Sequence, residues 1–241
     1  MKIKKKTLCI IPARGGSKGL KGKNIQKVDG KPLIFYPIKS AIKSKVCDDI
    51  FVSTDDEKIA KIAKKYGAQV PFLRKKNFAG DLVSTEETLK NALEEYESYK
   101  KTKYDICVFL TCTNIFRKYS FITKAVQNLK SSNFLESSFV VKKIYKHFWH
   151  EDKKKLKKVL PWMKEYTSRQ IAPKLYREDT GIALASRAHL WRKGKRIGKK
   201  VKLIYNDFPF SEVDIHDKYD LEIANNAMKL LKKNKKIKKI F

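Results

Sequence analysis

A doubly wound α/β chain with a mostly parallel sheet is the fold class this sequence predicts, on three observations. Short aliphatic runs alternate with amphipathic helical stretches, the first run breaks at Pro12 into a glycine-rich loop, and polar residues gather just past the ends of successive runs. Sheets of this kind hold their ligands beyond the carboxyl ends of the strands, where the reading places Arg14, Asp55, Thr113 and Asp214.

Residues 8–11, Leu-Cys-Ile-Ile, are too few for a helix and read as a buried strand. Residues 31–42 have helical spacing, with Pro32 tolerable in a first turn and Pro37 a local distortion. Residues 49–53 form a second strand. Thr54-Asp-Asp-Glu57 then opens a helix through Ala63, its acidic start suiting an N-cap and a first turn that faces the dipole. Residues 69–73 read as a third strand, 74–84 as a polar loop, and 85–99 as a helix with a hydroxyl cap. A strongly apolar strand over 104–110, a helix over 118–129 and a strand over 138–144 follow. Between Tyr145 and Leu160 the pattern dissolves into a lysine-rich run read as an exposed insertion or hairpin. Strand-like runs at 182–186, 201–205 and 211–215 lead into a closing amphipathic helix over 217–231 and a basic tail over 232–241. No internal repeat interrupts this order, so a single domain over 1–241 is expected, with an insertion or arm around 142–180.

At 241 residues, 42% hydrophobic with 13 Phe and 11 Tyr, the chain is long enough for a large core. The formal charge of +31 comes from 48 lysines and only 8 arginines. The lysines are scattered, not gathered into a stripe beside stacking aromatics, so a solvated surface is expected and no specific nucleic-acid partner. Arginine's rigid fork is hard to replace where a phosphate or carboxylate is gripped from two sides, which makes each arginine informative. The four cysteines show no C-x-x-C spacing and read as buried free thiols in a reducing, cytoplasmic setting. The start, Met1-Lys-Ile-Lys-Lys-Lys6, resembles the basic region of a signal peptide, but the apolar run after it is too short. No stretch nears the roughly 18 apolar residues of a membrane span.

The chemistry concentrates in the loop after the first run. Gly15, Gly16, Gly19 and Gly22 are expected to permit positive φ and a close backbone approach to a ligand, Ser17 adds a hydroxyl donor, and Arg14, Lys18, Lys21 and Lys23 surround the backbone with cations. This is the composition of a phosphate-cradling turn, although neither the Walker A pattern nor the dinucleotide fingerprint is present. A glycine-rich surface loop with no ligand is the alternative.

The run Ile10-Ile-Pro-Ala-Arg-Gly-Gly-Ser-Lys-Gly-Leu-Lys-Gly-Lys-Asn24 resembles the opening motif of the acylneuraminate cytidylyltransferases, the CMP-sialic acid synthetase family that also includes enzymes for legionaminic and pseudaminic acid. The resemblance continues at Val52-Ser-Thr-Asp55, Leu73-Arg74, Ala79-Gly-Asp81, Thr113, Arg117, Ser168-Arg-Gln170, Tyr176 and Val213-Asp-Ile-His-Asp-Lys-Tyr-Asp-Leu221. It implies a three-layer, Rossmann-like nucleotide-diphospho-sugar transferase fold and a homodimer. The reaction it implies joins CTP to an acidic nine-carbon 2-keto sugar with Mg²⁺ and releases pyrophosphate. By the resemblance, Arg14, Gly15, Gly16, Ser17, Lys18, Lys23 and Asn24 hold CTP, with Arg74 and Thr85 near its cytosine and ribose; for Thr85, a helix cap is the rival role. Thr111, Thr113, Arg117, Arg169, Gln170 and Tyr176 fall on the sugar side, Asp214 and Asp217 on the metal, and Arg14, Lys18 and Asp214 on the reacting phosphate.

The chain also departs from the pattern. The family's Gln-Pro-Thr-Ser-Pro-x-Arg segment is Thr111-Cys-Thr-Asn-Ile-Phe-Arg117 here, its Asn-Gly-Ala is Thr180-Gly-Ile182, and its Asp-x-Asp is Asp214-Ile-His216 with Asp217 following. The changes cluster on the sugar and metal side, which implies a divergent member acting on a different sugar acid. His147, Trp149 and His150 would line the sugar pocket or pack a dimer arm. A catalytically silent nucleotide-binding relative is the alternative reading. A non-specific binder of nucleic acid or anionic membrane, acting through the lysine surface and residues 229–239, is a third.

Overall fold

The computed structural model describes residues 5–164, 168 and 170–233. In chain order, β1 (Thr7–Pro12) leads through the glycine loop to the small hairpin β2 (Lys27–Val28) and β3 (Lys31–Pro32), then α1 (Phe35–Ser44), β4 (Asp49–Ser53) and α2 (Glu57–Lys65). A loop carries the chain to α3 (Thr85–Lys100), β5 (Ile106–Phe109), α4 (Tyr119–Ser131) and β6 (Ser137–Ile144). A hairpin of β7 (Trp149–Asp152) and β8 (Lys155–Lys158) comes next, followed by β9 (Leu175–Glu178), β10 (Leu184–Arg187), α5 (Ala188–Arg192), β11 (Val201–Tyr205) and α6 (Lys218–Lys233).

The sheet runs β11-β6-β10-β5-β1-β4, with β9 also paired to β6. Strands β4, β1, β5, β6 and β11 point one way, while β9 and β10 lie antiparallel to β6. This mixture is a refinement of the expected parallel sheet. The chain leaves β6 through a hairpin without a crossover helix, so its return is antiparallel. β1 alternates strictly: Leu8 and Ile10 enter the core under α3 and α5, Cys9 and Ile11 the core under α1, α2, α4 and α6, and all four are buried. Three layers result, with β1 one strand in from the β4 side of the sheet.

Several boundaries differ from the sequence expectation for local physical reasons. Pro32 ends β3, so the helix starts at Phe35 and Pro37 sits in its first turn, where no intrahelical N–H is needed. Residues 69–73 are not a strand. Gln69 exchanges hydrogen bonds with β4 (Val52 N to Gln69 O, 3.0 Å; Gln69 N to Ile50 O, 2.8 Å), and Pro71 then offers no N–H. Residues 211–215 are not a strand either; they turn on themselves (Val213 N to Phe210 O, 2.9 Å) and dock Ile215 N on the Thr113 carbonyl at 3.3 Å. The lysine-rich insertion does contain a hairpin, whose two connecting residues, Lys153 and Lys154, both take positive φ as a type I′ turn requires.

One buried carboxylate ties three elements together. Glu97, 3% exposed, accepts from Lys103 Nζ (2.8 Å), Tyr104 N (2.9 Å) and the Arg192 guanidinium, while Arg192 Nη2 also donates to the Tyr104 carbonyl (2.8 Å). Burial alone would raise the Glu97 carboxyl, but Arg192, Lys103 and the Tyr104 amide outweigh it and hold it below its ordinary value. A carboxyl depressed by folding stabilises the fold above its unfolded value of about 4.3, and that contribution disappears as pH falls through the folded value. Urea unfolding should therefore show Glu97→Gln losing about 2 kcal/mol at neutral pH. The gap to wild type should shrink as the pH is lowered below about 4.

Candidate functional site

The loop after β1 is fastened at both ends. Ala13 N donates to the Ser53 carbonyl (2.9 Å), Gly15 N to Asp55 Oδ1 (2.9 Å), and Asn24 Nδ2 to the Arg14 carbonyl (2.9 Å). The glycines serve different ends from those expected. Among the four, Gly22 alone takes positive φ, at 61°. Gly15 and Gly19 are needed for close approach: a Cβ on Gly15 would lie 2.9 Å from the Asp56 side chain, and one on Gly19 would lie 2.7 Å from the His216 carbonyl oxygen. A Cβ on Gly16 would meet nothing within 4 Å, and with Ser17 and Lys18 this glycine stands on the open side of the loop.

A cleft of about 370 Å³ opens beside the loop, at the carboxyl ends of β1 and β5. Arg14, Lys23, Asn24, Arg74, Thr85 and Thr111 line it, with Thr113 and Cys112 on its floor. Arg74 is 6% exposed, and neither Nε nor Nη2 has a hydrogen-bond partner; its ion pair with Asp55 is long, at 3.9 Å. Burial pulls this guanidinium below its ordinary value, Asp55 partly opposing and Arg14 adding to the pull. A buried cation with unspent donors facing a cleft is suited to an anion or to the carbonyl groups of a base. Thr85 is free of the capping duty considered for it, because Ser84 caps α3 and forms a reciprocal box with Glu87 (Glu87 N to Ser84 Oγ, 3.1 Å; Ser84 N to Glu87 Oε2, 2.9 Å). Burial pushes the Cys112 thiol up to about 12.

The acidic segment lies against the loop. Its position is set by the Gly19 contact with His216 and by the Ile215 N–H on the Thr113 carbonyl. Asp214 Oδ2 is 3.3 Å from His216 Nε2, and Asp214 Oδ1 is buried with no hydrogen-bond partner. Asp217 is used differently: its Oδ1 accepts from Tyr219 N (2.8 Å) and Asp220 N (3.0 Å), while Asp220 Oδ2 accepts from His216 N (2.8 Å). It is the N-terminal cap of α6. Among the described residues, no group of three or more His, Cys, Asp or Glu converges as a metal site.

The residues expected on the sugar side are dispersed. Arg117 does not line the cleft: it is 1% exposed, and its guanidinium donates to the backbone carbonyls of Thr111 and Asn114, so it supports the loop after β5, with Nη1 left without a partner. Burial lowers it to about 10. The Thr111 hydroxyl is 2.6 Å from Asn114 Oδ1 and 3.2 Å from the Gly181 carbonyl, a contact that leaves no room for a side chain at 181. Tyr176, on β9, packs against Tyr205 with ring centroids 5.3 Å apart, and neither it nor the exposed Gln170 lines the cleft. Arg169 lies outside the described residues.

Two acidic residues take positions that sequence reasoning did not assign them. Asp55 braces the loop through the Gly15 amide, and Asp81 pairs with Arg14 (2.7 Å) and Lys18 (2.9 Å). The signal for Asp55 was its place at the end of β4; for Asp81 there was no local signal, because its partners are more than 60 residues away.

The model for the family described as Cytidylyltransferase matches residues 8–237. A pseudaminic acid cytidylyltransferase of Campylobacter jejuni subsp. jejuni serotype O:23/36 (strain 81-176) is 43% identical over 113 residues, 47% of this chain and 49% of that protein. The match thus spans about half the length of that relative. A CMP-N,N'-diacetyllegionaminic acid synthase of Campylobacter jejuni subsp. jejuni serotype O:2 (strain ATCC 700819 / NCTC 11168) is 32% identical over 92% of this chain and 95% of that protein. In fold, the chain is similar to a CMP:2-keto-3-deoxy-manno-octonic acid synthetase solved with CTP, at TM-score 0.66 and 16% identity over 93% of this chain and 99% of that one. With a family model covering nearly its whole length and a 32%-identical relative matched over 92% of it, this chain belongs to the cytidylyltransferase family.

Proposed function

We propose that this protein joins CTP to a nonulosonic acid, an acidic nine-carbon 2-keto sugar, giving the CMP-sugar and pyrophosphate. The observation that carries this reading is the contact of Gly19 with the His216 backbone, which sets the cationic loop against the segment bearing Asp214. The relatives named for pseudaminic and legionaminic acid support the substrate class. Arg14, Lys18 and Lys23 would neutralise the triphosphate, with Gly16 and Ser17 on the open side of the loop and Arg74, Thr85 and Asn24 toward the nucleoside. The anomeric oxygen forms a bond to the α-phosphorus as the bond from that phosphorus to the pyrophosphate oxygen breaks, and the hydroxyl proton is released. Positioning and charge neutralisation are the protein's main contributions to such a displacement.

Asp214 fits a Mg²⁺ ion, which supplies charge neutralisation at phosphate oxygens when bound. Its Oδ1 is a hard oxygen without a partner, and magnesium takes few carboxylates beside water and phosphate. Asp217 has spent one oxygen on the helix cap, and an imidazole such as His216 is a poor magnesium ligand. The same reading takes the protein to be a cytoplasmic homodimer. The free thiols support the reducing compartment, and the exposed Trp149 and Leu156 on the hairpin of β7 and β8 support a pairing arm.

Incubation with CTP, Mg²⁺ and a panel of nonulosonic acids should release pyrophosphate with at least one of them. Normal CTP binding with turnover of none would overturn the catalytic reading. Chelation with EDTA should abolish turnover and added Mg²⁺ restore it, while Asp214→Asn should lower kcat about 100-fold with CTP affinity kept within about threefold. Gly19→Ala forces the loop and the acidic segment apart and should lower kcat about 100-fold, because roughly 1 Å of misplacement has that effect. Gly16→Ala, by contrast, should change unfolding free energy by less than about 0.5 kcal/mol.

A further inference from the structure

Resting on the assignment of the loop to a triphosphate, we propose that Asp81 is an internal competitor for the phosphate cations and sets which anions the loop accepts. Its two carboxylate oxygens are divided between two cations: Oδ1 lies 2.7 Å from Arg14 Nη1 and Oδ2 lies 2.9 Å from Lys18 Nζ. A phosphate group bridging the same two side chains would use the same pair of donors. One carboxylate therefore stands in for one phosphate, and the two cannot be bound to both cations together.

The segment that carries Asp81 is built to let go. Its ends are secured, by the Arg74 N–H on the Thr54 carbonyl (2.7 Å) and by the capping box of Ser84 and Glu87. Between these anchors Leu82 is 99% exposed, and the half-buried Phe78 and Val83 line the cleft outside the two core clusters, so release of Asp81 leaves the core intact. All three partners are partly exposed, at 37%, 83% and 41%, which places the pairing in the range of weak and readily exchanged surface ion pairs. Lys18 and then Arg14 also hold the Asp81 carboxyl below its ordinary value, so the competitor is charged at neutral pH.

A tethered carboxylate competes at a fixed effective concentration, of order millimolar for a short flexible connection. An anion must exceed that competition before it occupies both cations. A triphosphate carries enough charge to do so, a lone phosphate does less well, and an uncharged nucleoside neither meets the competition nor gains from its removal. Asp81 thereby raises the concentration at which any anion takes both cations, so weakly held, singly phosphorylated species are kept out where CTP still binds, and it recaptures Arg14 and Lys18 as pyrophosphate departs.

Isothermal titration of the full chain with tripolyphosphate, CTP and cytidine tests this. Asp81→Asn should bind tripolyphosphate and CTP about 3- to 30-fold more tightly and cytidine unchanged; Asp81→Ser, at the same exposed loop position, should do the same, and Asp81→Glu should stay near wild type. Glu94→Gln, which removes an equal charge from the exposed face of α3, should change tripolyphosphate affinity less than twofold. If Asp81→Asn leaves tripolyphosphate affinity unchanged or weaker while Arg14→Ala weakens it, the competitor is refuted and the phosphate loop stands. If Arg14→Ala changes neither tripolyphosphate nor CTP affinity, the assignment of the loop fails and the competitor fails with it. An equal gain in Glu94→Gln would reduce the effect to net charge and likewise refute it.

Discussion

Two stretches nearly two hundred residues apart in sequence meet where Gly19 lies on the backbone of His216, at a separation that admits no side chain. The rest of the cleft is arranged around that meeting. β1 delivers the loop to the carboxyl-end edge of the sheet, with β4 and β5 parallel on either side. Asp55, from the end of β4, takes the Gly15 amide, and Thr113, from beyond β5, takes the Ile215 amide. Each neighbour of β1 thus contributes one hydrogen bond that fixes one of the two facing segments.

The strands at 8–11, 49–53 and 104–110 and the helices after them were readable because burial on both sides of a parallel sheet leaves aliphatic runs, and helices leave a 3.6-residue stripe. The glycine loop was readable as a turn after the first strand, but not in which glycine takes positive φ and which allow close approach. What failed were the readings that depend on hydrogen-bond partners distant in sequence. Pro71 allowed Gln69 to join the sheet but nothing after it, and residues 211–215 look like a strand by alternation yet have no neighbour to pair with. Ser84 and Thr85 are both good caps by type, and one residue of register decided which of them faces the cleft. Asp217 follows the same logic at the start of α6, where two waiting amides take its Oδ1.

The arginines divide more evenly than their rarity suggested. Arg14 and Arg74 line the cleft, but Arg117, Arg187 and Arg192 turn inward to carbonyls at the ends of strands and helices. Arg187 alone reaches the carbonyls of Leu129, Ser132 and Leu135, where α4 gives way to β6. A forked, permanently charged donor satisfies several orphan carbonyls at once, which lysine does less well. In a chain that uses lysine for its surface, arginine marks demanding geometry, whether the acceptor is a ligand or the protein's own backbone.

The sulfur on the floor of the cleft has a bearing on chemical durability. Cys112 sits within reach of whatever occupies the site, yet its proton is held so firmly that almost no thiolate exists at neutral pH. Alkylating electrophiles and peroxide react with that thiolate. The floor of the cleft is consequently a slower target for such agents than an exposed cysteine of ordinary acidity would be.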